Sequence, residues 1–133
     1  MADSIGMDRR TGRVLIDWAH VCQSIADILT TYKLTRVMRR DYGSDNPLLV
    51  DKPMTDASLI KFYVATADAL DRWEPRFALD TVYFTAVSRD GQTTLRLDGT
   101  YLPRGHLGDR TPATIPDRSV TLLLVDDGWI PAT

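Results

Sequence analysis

The sequence predicts an α+β fold in which two amphipathic helices pack on a small antiparallel sheet of about three strands. Three observations predict it. Apolar residues recur at helical spacing in two segments, β-forming residues alternate through two more that flank a turn, and a short apolar run follows a long loop near the end of the chain. Helices impose a period of about 3.6 and half-buried strands a period of 2, so spacing separates the two. A lone hairpin is marginal in water, whereas three strands covered on one face by two helices share a core.

Taken in order, residues 1–15 are polar and contain glycine, which suggests an extended arm or a loosely packed lead-in. Asp17 is a good N-cap residue, and after it Trp18, Val21, Cys22, Ile25, Ile28, Leu29 and Tyr32 form one stripe, which predicts a helix over 17–31. Residues 35–38 have the composition of a short strand, and Asp41-Tyr42-Gly43-Ser44 with Asn46-Pro47 reads as turn chemistry. Pro53 and Thr55 announce a second helix with a stripe of Leu59, Ile60, Tyr63, Val64, Ala67 and Leu70, running to Trp73. Pro75 ends it, because the residue before a proline is pushed out of the helical region. From Phe77 to Val87, Val82, Phe84 and Ala86 alternate with Tyr83, Thr85 and Val87. Arg89-Asp90-Gly91-Gln92 supplies a turn, and Leu95, Leu97 and Tyr101 continue the alternation on a return strand. Residues 103–116 read as a loop and 120–125 as a third strand, able to pair with either hairpin strand. No internal repeat interrupts the chain, and residues 1–133 are read as a single domain.

Composition narrows the function. With 133 residues, 44% hydrophobic, 26% charged and a net charge of -2, the chain is globular and lacks the positive excess that holds a polyanion. Nucleic acid is therefore not an expected partner. Arginine outnumbers lysine 13 to 3, which fits either bidentate contacts with partners or the codon usage of a GC-rich genome. Cys22 is the single cysteine, so no intrachain disulfide can form, and it reads as a small buried apolar residue. The first residues lack the apolar core of a signal peptide and no apolar run is long enough to span a bilayer, so neither secretion nor a membrane is expected.

Tests for chemistry give no enzyme. A zinc site needs several closely spaced ligands, and the chain offers one Cys and two separated histidines, His20 and His106; His20 reads as a helix-surface residue. No phosphate-binding glycine loop, dinucleotide fingerprint or nucleophile elbow occurs, so no cofactor is expected. Glycoside hydrolysis uses two carboxyl groups, one holding its proton near neutral pH. Glu74 is the single glutamate and stands between Arg72 and Arg76, whose charges favour its ionised form. The same segment reads in two ways as architecture. In an extended stretch Glu74 and Arg76 point to one side and can pair or jointly meet a partner, with Trp73 as an apolar anchor; alternatively Trp73 is core and the charges are an ion pair at a helix end.

Four blocks then carry a family resemblance: Gln23-Ser24-Ile25-Ala26-Asp27-Ile28-Leu29-Thr30-Thr31, Arg36-Val37-Met38-Arg39-Arg40-Asp41-Tyr42-Gly43-Ser44, Val50-Asp51-Lys52-Pro53 and Trp73-Glu74-Pro75-Arg76. In this order and spacing, with an opening Gly6-Met7-Asp8-Arg9, the chain over about residues 5–102 resembles the baseplate assembly protein W family of contractile-tail phages, which has also carried a tail-lysozyme label and is related to a type VI secretion baseplate component. The resemblance implies a structural wedge protein of the tail baseplate, in six copies around the hub, assembled in the bacterial host cytoplasm and carried in the virion. Its implied partners are wedge scaffold subunits and the sheath subunit, with tail hub or tube proteins as further candidates. It implies no catalytic residue; the alternative is a peptidoglycan-degrading tail lysozyme. The partner-binding residues it implies are Trp73, Glu74, Pro75 and Arg76, with Arg39, Arg40 and Tyr42 of the second block. The small sheet is expected to template the first sheath ring, since an open strand edge accepts an incoming strand through main-chain bonds. The chain departs from the family at Tyr32-Lys33-Leu34-Thr35, at Asp45-Asn46-Pro47 and through residues 103–133, whose Trp129 is expected either packed on the domain or docked on a neighbour.

Overall fold

The structure, a computed structural model, describes residues 2–47, 55–85, 93–125 and 128–131. The first stripe becomes helix α1 (Asp17–Thr30), which buries Val21, Ile25, Ala26, Ile28 and Leu29, with Trp18 and Cys22 packed at the margin. Asp17 is not its cap. Ile16 holds the N-cap position without a side-chain bond, while the Asp17 carboxylate accepts the N–H groups of Asp3 (2.8 Å) and Ser4 (3.2 Å). A short acceptor at a helix start serves whichever unpaired donors reach it, and here those come from the preceding chain.

That preceding chain forms an antiparallel ribbon of β1 (Ile5–Met7) and β2 (Val14–Ile16), with Ile5 opposite Ile16 and Met7 opposite Val14. The ribbon lies on α1. Gln23 donates to the Met7 carbonyl (2.9 Å) and accepts from the Arg9 N–H (3.1 Å). After α1, the expected strand over 35–38 is absent. The N–H of Thr35 bonds to the Tyr32 carbonyl and that of Arg39 to the Arg36 carbonyl, so successive turns occupy groups a ladder would use. One parallel bridge, Tyr32 with Ser44, closes this loop.

Helix α2 (Asp56–Trp73) is capped by Thr55, whose hydroxyl accepts from the Ser58 N–H (3.2 Å). Its buried face is Phe62, Thr66, Ala69 and Leu70, so the helix is rotated from the predicted stripe and Ile60, Val64 and Ala67 are exposed. The large ring of Phe62 explains the rotation. It meets Phe84 (centroids 5.1 Å apart) and Trp129 (6.2 Å), a greater apolar burial than either branched aliphatic would gain. Thr66 is tolerated inside because its hydroxyl donates to the Phe62 carbonyl and accepts from buried Asn46 (both 2.9 Å).

The sheet has four strands rather than about three: β3 (Phe77–Thr85), β4 (Thr94–Tyr101), β5 (Asp117–Val125) and β6 (Gly128–Pro131), antiparallel and in that spatial order. The alternation on β4 is as predicted, with Leu95, Leu97 and Tyr101 buried. β5 chooses the return strand β4, and the C-terminal segment adds β6 beside it. Trp129 of β6 is fully enclosed in the core, and its N–H donates to the Thr30 hydroxyl (2.9 Å), tying the sheet to the end of α1. Helix α1 packs on the β6 side and α2 on the β3 side of the shared core. The Arg89-Asp90-Gly91-Gln92 turn, the Ala86–Val87 strand end, Leu48 and Leu49, and the Val50-Asp51-Lys52-Pro53 block lie outside the described residues.

Candidate functional site

The corner between α2 and β3 carries the segment singled out in the sequence. Proline at 75 stops the helix, Glu74 takes the C-cap position with its N–H on the Leu70 carbonyl (3.0 Å), and the chain turns so that Phe77 N–H reaches the Glu74 carbonyl (3.3 Å). The turn folds both charged side chains inward. Glu74 is 1% exposed and Arg76 9%. They meet as a two-pronged pair, Nε to Oε1 at 2.7 Å and Nη2 to Oε2 at 3.0 Å, a geometry that satisfies both carboxylate oxygens. The third guanidinium nitrogen, Nη1, lies 3.2 Å from His20 Nδ1 on α1. Burial first, and the Arg76 charge second, hold the His20 imidazole below its ordinary pKa, so the neutral ring accepts this bond. Gly105 completes the corner. A side chain there would collide with the Pro75 carbonyl, so only glycine lets the 102–108 loop close over it. Pro75 itself is exposed.

Next to this sealed pair lies an open cluster built from four segments: the N-terminal ribbon, α1, the loop after it and the end of α2. Asp27, on the outer flank of α1, receives Arg36 Nη2 (2.7 Å), Tyr42 Oη (2.8 Å) and Arg9 Nη1 (3.4 Å). Burial and the hydrogen bond to Asp27 raise the Tyr42 hydroxyl pKa, so the ring acts as a donor throughout the physiological range. Its ring stands edge-on to Trp73 (5.2 Å), and the guanidinium groups of Arg39 and Arg72 lie over Trp73 at 5.3 and 5.1 Å. Arg72 also pairs with Asp41 (3.1 Å). The chain can enter this cluster because Gly43, at φ 115°, passes against the Thr31 carbonyl, where no side chain fits. Beyond it the loop displays Val37 and Met38, 80% and 90% exposed, between Arg36 and Arg39.

The structure thus brings Tyr42, Trp73 and Arg39 together on one face. Arg40 stands apart, exposed, with its carbonyl accepting the Leu34 N–H (2.7 Å), and Glu74 and Arg76 face each other inside. Trp73 is half-buried, with one side packed against the core cluster. Sequence reasoning missed His20, Asp27 and Arg36 as members. Asp27 and Tyr42 are 15 residues apart and His20 and Arg76 are 56 apart, so no local spacing joins them. Among the described residues no group of three or more His, Cys, Asp or Glu could hold a metal ion, and no helix is long and apolar enough to cross a membrane. Cys22 is half-buried, and burial pushes its thiol up to about 11.

Comparison with known proteins gives this geometry a setting. The profile of a family described as Baseplate wedge protein gp25 matches residues 17–103. Baseplate protein W of Escherichia phage P2 is 44% identical over 101 residues, 76% of this chain and 87% of the relative. Among solved structures, a chain of the postcontracted pyocin R2 baseplate is similar with a TM-score of 0.62 and 43% identity, over 74% of this chain and 98% of that one. A Geobacter sulfurreducens protein described as a tail lysozyme superposes with a TM-score of 0.57 over 80% of this chain and 90% of its own; at 23% identity that likeness shows the fold alone.

Proposed function

The chain belongs to the baseplate wedge protein gp25 family, which gives it a structural role in a baseplate, and we propose that it works there without catalysis, as a wedge component of a contractile tail or tail-like particle. The observation that carries this reading is the contrast at the corner: a Glu74–Arg76 pair closed to solvent beside an arginine and aromatic face open to it. The buried pair fixes the corner, and Pro75, Trp73, Tyr42, Arg39 and Arg40 then face wedge scaffold subunits. Aromatic and arginine side chains around an exposed apolar tip, here Val37 and Met38, are the composition of an interface hot spot. Absence of catalysis is supported by the Glu74 carboxylate, which has both oxygens engaged by Arg76 and no open side for a substrate.

Sheath templating belongs to the same proposal. Strand β3 is nine residues long and pairs on one side only among the described residues, with β4. The exposed Val64 and Ala67 of α2 flank a groove of ≈ 680 Å³ that also reaches Ala78 and Leu79 of this strand, so a sheath arm added there gains apolar cover as well as main-chain bonds. Six copies around the hub, in contact with hub or tube proteins, would set the radius of the first sheath ring, with assembly in the host cytoplasm before the virion is complete. The test is an Arg39→Glu, Arg40→Glu variant. Both side chains are on the exposed loop, so its unfolding midpoint stays within a few degrees of the parent while its incorporation into purified particles falls at least tenfold. Wild-type incorporation sinks the assignment of this face, and robust turnover of purified peptidoglycan by the parent chain, lost in Glu74→Gln, sinks the non-enzymatic reading.

A further inference from the structure

We infer that the N-terminal ribbon is a second docking face for a neighbour in the baseplate, shaped for an amphipathic helix with acidic flanks. The inference rests on the wedge reading above and extends it to residues 5–16, which precede the matched family span of 17–103. Four large apolar side chains of the ribbon stand in solvent: Ile5, Met7, Val14 and Ile16, at 67, 66, 69 and 54% exposure. Ile5 opposes Ile16 and Met7 opposes Val14 on one face, while Gly6 and Leu15 oppose each other on the face toward α1. Turning the ribbon over would bury the apolar four, but packing forbids it. A side chain at Gly6 would collide with the His20 ring, so only the glycine face can approach the helix.

Area and continuity select a partner over a second copy. The four side chains make a patch on the order of 400 Å², so two ribbons face to face would cover about 800 Å² in total, short of the roughly 1,200 Å² of a stable interface. The patch instead continues along α1. His20, Gln23 and Asp27 form one stripe of the helix: Gly6 lies on His20, the Met7 carbonyl and Arg9 N–H bond to Gln23, and Asp27 joins Arg9 to Arg36, next to Val37 and Met38. One partner spanning both patches gains the area that neither supplies alone. The four ribbon side chains form a face rather than an edge, and opposed residues about 5 Å apart match one ridge of helix side chains at spacings of three and four. Charge selects the flanks. Asp3, Asp8, Asp17, Asp27, Asp41 and Asp45 each already have a bonding partner, whereas Arg10, Arg13, Arg39 and Arg40 are exposed and form no ion pair among the described residues. Arg13 precedes Val14 and Arg39 follows Met38, so both patches end in an unpaired guanidinium, which an acidic flank would meet and a basic one would repel.

Methionine oxidation separates the two patches, because Met7 reports the ribbon and Met38 the loop. In purified particles exposed to peroxide, both are expected to oxidise at least about tenfold more slowly than in the free full chain. Protection of Met38 alone overturns the inference and leaves the wedge reading standing, protection of Met7 alone keeps the ribbon and removes the Arg39 and Arg40 face, and absence of the chain from the particles overturns both. The occupant is identified by a photo-crosslinking amino acid at position 14 of the full chain, with the joined segment sequenced after assembly. A segment of another chain with apolar residues at spacings of three and four and an excess of Asp and Glu is expected; a second copy of this chain, a segment alternating with period two, a basic segment or no crosslink overturns the inference. Met7→Asp with Val14→Asp should change the urea midpoint of the free chain little, since both side chains already stand in solvent, and lower incorporation at least about tenfold. Should that variant fold poorly, Arg10→Glu with Arg13→Glu keeps the test decisive: incorporation falls about tenfold, and Arg10→Lys with Arg13→Lys retains most of it. Incorporation of the Glu variant at the parent level overturns the inference.

Discussion

Two ionic clusters lie on either side of Trp73 and use the same chemistry to opposite ends. The Glu74–Arg76 pair is enclosed, with every carboxylate oxygen bonded, and it ties the α2–β3 corner to His20 of α1. The Asp27, Arg36 and Tyr42 cluster, with Arg39 and Arg72 over Trp73, is half open, its guanidinium side chains reaching solvent. Burial decides the role. A desolvated pair is expensive to break and has no bonding capacity to offer a neighbour, whereas an open one contributes little to folding and keeps donors and ring faces for a partner.

The widest separation between the two should come from Glu74→Ala. It strands a buried guanidinium and is expected to cost about 3–5 kcal/mol in urea unfolding, whereas joint replacement by Leu at 74 and Met at 76 should recover most of that loss. Equal losses in both variants would show that the corner needs charge as such. Tyr42→Phe deletes one bond to Asp27 in the half-open cluster, and a loss of about 1 kcal/mol is expected; a loss as large as that of Glu74→Ala would erase the distinction.

A smaller signal should appear with pH. His20 titrates lower in the folded protein than its ordinary 6.5, so the unfolded chain binds the extra proton first. Its contribution to stability is complete above pH 6.5 and is lost as pH falls below that value through the lowered folded pKa. The groups facing it are Arg76, Glu74 and His106. Chemical unfolding of His20→Asn at several pH values should lack this part of the slope, and an unchanged slope would remove His20 from the buried network. The smallest effect belongs to Arg72→Ala, whose partner Asp41 is as exposed as Arg72 itself. A change of about 0–1 kcal/mol that fades with added salt is expected, and a larger, salt-independent loss would place Arg72 with the enclosed pair.

Local signals made part of this legible. The α1 stripe, the end of α2 before Pro75 and the period-two burial of Leu95, Leu97 and Tyr101 are all short-range patterns, and each is present in the structure. The face of α2 was not legible, since Ile60 and Val64 fit a helical stripe as well as Phe62 does; the choice was made by Phe84 and Trp129 across the core. β6 has four residues ending in proline, too few to show a period, and it forms because the Trp129 ring finds an apolar cavity and its backbone N–H finds an acceptor in the Thr30 hydroxyl.

By itself, then, the sequence determined the stripe of α1, the end of α2 before Pro75 and the alternation on β4, and that Glu74 and Arg76 stand two residues apart at the turn after α2, because those properties depend on neighbours along the chain. Only the tertiary structure decided that this pair faces inward to His20, that Asp27 collects donors from two other segments, and that β6 pairs beside β5. Such outcomes depend on which surfaces lose water to one another when the layers close, and residues 9 to 56 positions apart carry no local record of that.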